Sequence, residues 1–170
     1  PTFANFTPEE LPIFTDKGIW MRLIAGEAYG IKNSVKTHSP LFYIHIDLEA
    51  DAKIDLPTGY SERGVYIVKG AIEVDSQNYR SNQLLVFDNT KEPTIVAKEK
   101  TTLMLLVGDP IGSRYIWWNF VSSRRERIEQ AKADWEQGRI LLPPNDDKEF
   151  IPLPQSRSKP SEPPEANILS

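Results

Sequence analysis

The run LFYIHIDLEA, residues 41–50, reads as a strand with alternating sides. Phe42, Ile44, Ile46 and Leu48 fall on one side of an extended chain, and Tyr43, His45 and Asp47 on the other. That period of two marks a strand with one buried face. Further short apolar runs follow: IWMRLIAG (19–26), GVYIVKGAIEVD (64–75), QLLVF (83–87), PTIVA (93–97) and TTLMLLVG (101–108). Asn82, Asp88-Asn89 and Lys98-Glu99-Lys100 separate the later ones with turn chemistry. Lys69-Gly70 reads as a tight hairpin between two β-branched runs. Many short strands with polar turns and no interleaved helices predict an all-β sandwich or barrel.

Beyond Gly108-Asp109-Pro110 the pattern changes. Ser123 with Glu126 has the spacing of a capping box. Ile128, Ala131 and Trp135 then recur at helical spacing, and Gly138 is a suitable stop, so the expected helix runs over about 123–137. Trp117 and Trp118 would point to opposite sides of an extended chain, which predicts that at least one is buried. Trp135 is expected to touch the barrel or the chain just before the helix. FIPLP (150–154) reads as a closing strand. The expected organisation is an N-terminal arm over 1–18, in which Thr7-Pro8 could open a short helix, a barrel over 19–110, an appended helix and closing strand over 111–154, and a flexible proline-rich tail over 155–170. The chain opens on Pro1 rather than Met, which reads as a piece of something longer.

Composition removes several functions. The 170 residues hold no cysteine, which excludes disulfides, zinc ribbons and thiol nucleophiles. A net charge of −4 argues against a dedicated nucleic-acid binder. No apolar run approaches the roughly 20 residues that span a bilayer. Neither nucleic acid nor membrane is therefore an expected partner, and the expected location is the cytoplasm. There are two histidines, His38 in a loop and His45 on the polar side of a strand, and neither has a ligand-like neighbour at metal-site spacing. No nucleophile elbow and no phosphate-cradling glycine loop occurs.

A small β-barrel invites one specific comparison, with the cupin metal motifs Gly-x5-His-x-His-x3-4-Glu-x6-Gly and Gly-x5-Pro-x-Gly-x2-His-x3-Asn. Such spacing sets three imidazoles and a carboxylate on inward positions of neighbouring strands around one metal. With Gly70 as the anchor, the glutamate slot falls on Arg63. The histidine slots fall on Pro57 and Gly59, or on Leu56 and Thr58. In the second motif Asn82, Asp88 and Thr90 take the Gly, Pro and Gly slots, and Pro93 takes the histidine slot. Arginine stays protonated and cannot ligate. The reading is a barrel without metal or other cofactor.

The stretches RLIAGEAYGIKNSVKTHSPLFYIHIDLEADAKIDLP, ERGVYIVKGAIEVDSQ and IWWNFVSSRRERIEQAKADWEQGRI, with EFIPLP after them, carry a resemblance. The chain resembles the C-terminal half of the pirin family, bicupins built from two successive barrels. The resemblance implies an RmlC-like jelly roll, a cupin-type double-stranded β-helix with one appended C-terminal α-helix. It implies iron in the N-terminal barrel, on a PHPHRGFE-like segment that this chain lacks. It also implies a C-terminal barrel without metal. Some pirins show quercetin dioxygenase activity, and animal pirins act as iron-dependent transcription co-regulators. Both properties depend on the other half.

The expected role is thus a non-catalytic, metal-free half that packs against a metal-bearing N-terminal cupin. The alternative is a stand-alone, metal-free cupin that binds a small molecule. Tyr29, Tyr43, Arg63 and Tyr66 are the candidate liners of a barrel mouth, and Arg124 and Arg125 the candidate interface residues; otherwise the helix arginines are expected to be solvated or paired with Glu126 and Glu129. An interdomain face left uncovered would be an apolar patch open to self-association.

Overall fold

Strand alternation sorts the chain into two layers. The computed structural model describes residues 4–143 and 146–154, so the tail expected over 155–170 lies outside the described residues. The elements are β1 (Ile13–Asp16), β2 (Ile19–Ala28), β3 (Ile31–Lys32), β4 (Leu41–Leu48), β5 (Lys53–Asp55), β6 (Glu62–Lys69), β7 (Ala71–Val74), β8 (Gln77–Arg80), β9 (Leu84–Phe87), β10 (Thr94–Ala97), β11 (Thr101–Gly108), β12 (Tyr115–Trp117), β13 (Phe120–Ser122) and α1 (Arg125–Glu136). One antiparallel sheet runs β1-β2-β4-β11-β6-β9, with β3 on β2, and a second runs β5-β10-β7-β8. From β6 onward the chain passes between the two sheets repeatedly. The described chain forms two compact units, Ala4–Ile111 and the segment from Gly112 onward.

In the first unit, inward residues meet across neighbouring strands in rows. Leu23, Ile44, Leu105, Val65 and Leu85 make one row, and Phe42, Val107, Arg63 and Phe87 the next. With Met21, Ile46, Leu48, Ile54, Ile67, Ile72, Ile95 and Leu103 they form a dry core between the sheets. The strand expected at 41–50 ends at Leu48 and has the predicted faces: Phe42, Ile44, Ile46 and Leu48 are all buried.

The hairpin expected at Lys69-Gly70 is not formed. β6 pairs with β11 and β9, whereas β7 pairs with β8 and β10. Gly70, at φ 88°, is the corner where the chain changes sheets, and a Cβ there would overlap the Thr101 hydroxyl. The tight hairpin lies at Asp75-Ser76 instead, with φ of 49° and 64°, joining β7 to β8. The expected N-terminal arm also needs correction. Its last residues form β1, an edge strand paired with β2 from Ile13↔Arg22 to Asp16↔Ile19. Thr7–Glu10 makes a turn rather than a helix, with the Thr7 N–H donating to Glu10 Oε2 at 2.7 Å.

In the second unit β12 and β13 form a hairpin that apolar periodicity did not reveal, and α1 packs against it. Trp118 sits in the turn at φ 52°, a costly conformation for a bulky residue. Its ring meets Phe120 and Trp135 edge-on, at 5.8 and 5.4 Å. Neither tryptophan is fully buried. Trp117 is half-covered and Trp118 is 37% exposed, because a turn residue escapes the alternation assumed for it. Trp135 does touch the chain before the helix. The capping box is absent: the helix starts after Arg124, which has no side-chain cap, and the Arg124 N–H donates to Ser122 Oγ at 3.1 Å. Its end matches expectation. Gly138 at φ 66° closes a Schellman motif, with its own N–H donating to Trp135 O and the Arg139 N–H to Asp134 O. Residues 150–154 form no strand. Phe150 stacks on Trp135 at 5.3 Å, and the indole N–H of Trp135 donates to Ile151 O at 2.8 Å.

Candidate functional site

Arg63 is the most informative interior residue. It lies on the inward phase of β6 between Val107 and Phe87, and it is 1% exposed. Its guanidinium donates to three backbone carbonyls: Pro57 O at 3.5 Å, Lys91 O at 2.6 Å, and Asp88 O. Its Nε is buried without a partner. The carboxylate of Asp88 is engaged elsewhere. It accepts from the N–H and hydroxyl of Thr90, and these bonds hold its pKa below the usual aspartate value. The Arg63 cation therefore ties the chain before β6 to the loop after β9 through carbonyl oxygens alone. These bonds to a charged donor are individually strong, and they offset part of its desolvation.

This arrangement does not fit a divalent metal. The residue in the carboxylate slot is a fixed cation that repels a second one. Pro93, in the histidine slot, is buried and supplies no side-chain donor. Among the described residues, no group of three or more His, Asp or Glu could hold a metal ion.

The expected mouth residues do not share a surface. Tyr43 and Tyr66 take the outward phase of β4 and β6, opposite to Arg63, as strand alternation requires. The Tyr66 hydroxyl reaches Asn82 Oδ1 at 3.4 Å. Tyr29 packs against the core, its hydroxyl donates to Asp55 O at 2.9 Å, and its pKa is raised by burial first and the Asp55 charge second. His45 lies on the outer face, 3.4 Å from Asp47 and edge-on to Trp20, while His38 is exposed in its loop.

Arg124 and Arg125 are exposed at the start of α1, where the helix dipole disfavours cations. Arg125 lies over the Tyr115 ring at 5.7 Å. Among the described residues none of Arg124, Arg125 and Arg127 forms an ion pair; Glu129 pairs with Lys132 instead, at 2.8 Å. An open groove of about 850 Å³ runs along α1, between Arg124, Arg127 and Gln130 on one element and Phe120 and Val121 on the other. It holds no nucleophile beside a base, because its one carboxylate, Asp134, is bonded to Gln130 and Arg139.

Residues outside the sequence reading stand out on the outer side of the large sheet. Leu84, Val86 and Leu106 are 58%, 75% and 48% exposed. A signal for them existed. QLLVF and TTLMLLVG are nearly continuous apolar runs, the pattern of strands covered on both faces rather than one.

Two antiparallel sheets enclosing a dry core define a cupin-type β-sandwich. A family model, the Pirin C-terminal cupin domain, matches residues 43–141. A pirin-like protein of Caulobacter vibrioides is 49% identical over 156 residues, covering 91% of this chain and 54% of the relative. The chain belongs to the pirin family, as its C-terminal cupin domain. Pirin of Homo sapiens is 25% identical over 148 residues, covering 82% of this chain and 51% of the relative. The crystal structure of a quercetin 2,3-dioxygenase from Acinetobacter baumannii superposes with a TM-score of 0.71 at 22% identity, over 89% of this chain and 52% of that one. The chain thus spans about half the length of the curated relatives it matches. No helix among the described residues is long and apolar enough to cross a membrane.

Proposed function

We propose that this chain is a non-catalytic, metal-free cupin half that packs against a metal-bearing cupin and supports it. The observation that carries this reading is Arg63, a buried cation in the slot where a metal cupin places its carboxylate, bonded to Pro57, Asp88 and Lys91 carbonyls. A guanidinium so placed does for the loops what a bound ion does elsewhere: it gathers oxygens from separate segments around one positive charge. Any dioxygenase chemistry of the parent protein then belongs to the other half. The relatives' doubled length supports the existence of that half. The test is metal analysis of the purified 170-residue chain after incubation with Fe(II), Ni(II) and Cu(II) and removal of excess metal. The expected content is far below one ion per chain. Stoichiometric metal would overturn the reading.

A further inference from the structure

Three arginines, Arg124, Arg125 and Arg127, crowd the start of α1 in a chain of net charge −4. The helix dipole places partial positive charge at that end, so each cation there raises the electrostatic energy of the fold. Among the described residues neither Arg124 nor Arg127 forms an ion pair. Glu126, the acid of the first turn, pairs with neither, and Glu129 is held by Lys132 at 2.8 Å. Arg125 lies over the Tyr115 ring and does not line the groove along the helix, whereas Arg124 and Arg127 do. Away from them the groove of about 850 Å³ is walled by Phe120, by Ile128 and Trp135 on one face of α1, and by Ile140 beyond the helix end. The carboxylate on its lining, Asp134, accepts from Gln130 at 2.7 Å and from Arg139 at 2.6 Å, so its charge is already compensated. The groove is therefore cationic at the helix start and apolar further along.

We propose that this groove binds an acidic, amphipathic peptide segment of a partner protein, whose carboxylates meet Arg124 and Arg127 and whose bulky apolar side chains lie along Ile128 and Trp135. Charge complementarity chooses the occupant. A guanidinium takes a carboxylate through two parallel hydrogen bonds, and an anion held there also offsets the cost of cations at a helix start. A basic segment would add a third like charge to that end. A nucleic-acid backbone could meet the two arginines, but the apolar part of the groove offers phosphates nothing, and the net charge of −4 opposes a polyanion. The length of the segment follows from the helix. Arg124 to Trp135 covers about 16 Å at 1.5 Å per residue, which is about five residues of extended chain.

The probe is a fluorescein-labelled EEDLF peptide, followed by fluorescence polarisation with the 170-residue chain and with the whole protein expressed from its natural gene. Saturable binding to both is expected, weakened by salt and weakened about tenfold or more in Arg127→Glu. Glutamate is favourable at a helix start, so that loss cannot come from loss of the helix. Arg125→Glu makes the same change of charge outside the groove and should weaken binding by less than about threefold. An EEDSS peptide, which keeps the charge and drops the apolar end, should bind about tenfold more weakly than EEDLF. No saturable binding to the 170-residue chain, an equal loss in Arg125→Glu, or equal binding of EEDSS would overturn the proposal. Binding to the 170-residue chain that vanishes in the whole protein would assign the groove to an intramolecular contact and overturn it. A single-stranded oligonucleotide that displaces EEDLF at equal concentration would assign the groove to nucleic acid and overturn it as well.

Discussion

The two units bury apolar surface in opposite ways. Between the sheets of the first unit the side chains are mostly aliphatic, interlocked in rows and almost wholly dry, and the one charge among them, Arg63, is bonded to carbonyls. In the second unit Ile128, at 5% exposed, is the only fully buried apolar residue among those described, and the rest of the packing is rings. Trp117, Trp118, Phe120, Trp135 and Phe150 meet edge-on or stacked at 5.3 to 6.4 Å. Lys132 and Arg125 lie over the exposed faces of Trp117 and Tyr115. A close-packed aliphatic core transmits every lost methylene into stability. A half-exposed aromatic cluster has water beside it and can close over a loss.

The contrast is broken most directly by Leu105 and its neighbour Leu106. Leu105→Ala empties a site at 0% exposure and is expected to cost about 2–5 kcal/mol in denaturant unfolding. Leu106→Ala, one residue along but on the outer phase, is expected to cost less than about 1 kcal/mol in this chain. Equal losses would mean that the outer face is already covered and would remove the distinction between the two sides.

Arg63→Ala comes next, at about 2–4 kcal/mol, because it opens a void and leaves three carbonyls without their donor. Arg63→Lys should recover only part of that. A compact ammonium cannot reproduce the planar fork that reaches the Pro57 and Asp88–Lys91 segments together. Thermal melting of the two variants checks the order, and a neutral Arg63→Ala would show that the loops hold themselves.

The sequence disclosed the first unit better than the second for a physical reason. Where one face of a strand is dry, hydropathy must alternate, and the strand expected at 41–50 was legible to within two residues of its end at Leu48. Corners obey sterics instead, so Gly70 looked like a hairpin although its φ serves a crossing between sheets. The β12–β13 hairpin was hidden because Tyr115, Ile116 and Val121 stay exposed, so nothing in hydropathy separates its two faces. At the candidate site, Arg63 could be placed by motif spacing. Its three acceptors are backbone atoms, which leave no trace in side-chain identity. Tyr43 and Tyr66 were set beside it by residue type, and strand alternation puts them on the other face.

In the second unit Trp135→Phe keeps the ring cluster but deletes the N–H that holds Ile151 O. The expected cost is about 1 kcal/mol, with faster hydrogen exchange confined to the chain around residues 150–154. A loss as large as that of Leu105→Ala would mean that this unit packs as tightly as the sandwich.

The smallest effect is at the helix end. Asp134 is bonded first by the Arg139 guanidinium and then by the Gln130 amide, and these partners hold its pKa below the ordinary aspartate value. Because the folded value is the lower one, the unfolded chain takes up the proton first as pH falls. The contribution is therefore complete at neutral pH, declines once pH drops into the ordinary aspartate range, and is gone below the folded value. The group is at the surface, so the effect is small and salt-sensitive. The Gly138 and Arg139 amides, whose acceptors lie in the last turn, should exchange faster relative to the mid-helix amides as pH falls through that range. Asp134→Asn should flatten this acid dependence without shifting the melting of the sandwich unit. If the profile is unchanged in Asp134→Asn, the Schellman turn alone closes the helix and the ion pair to Arg139 is incidental.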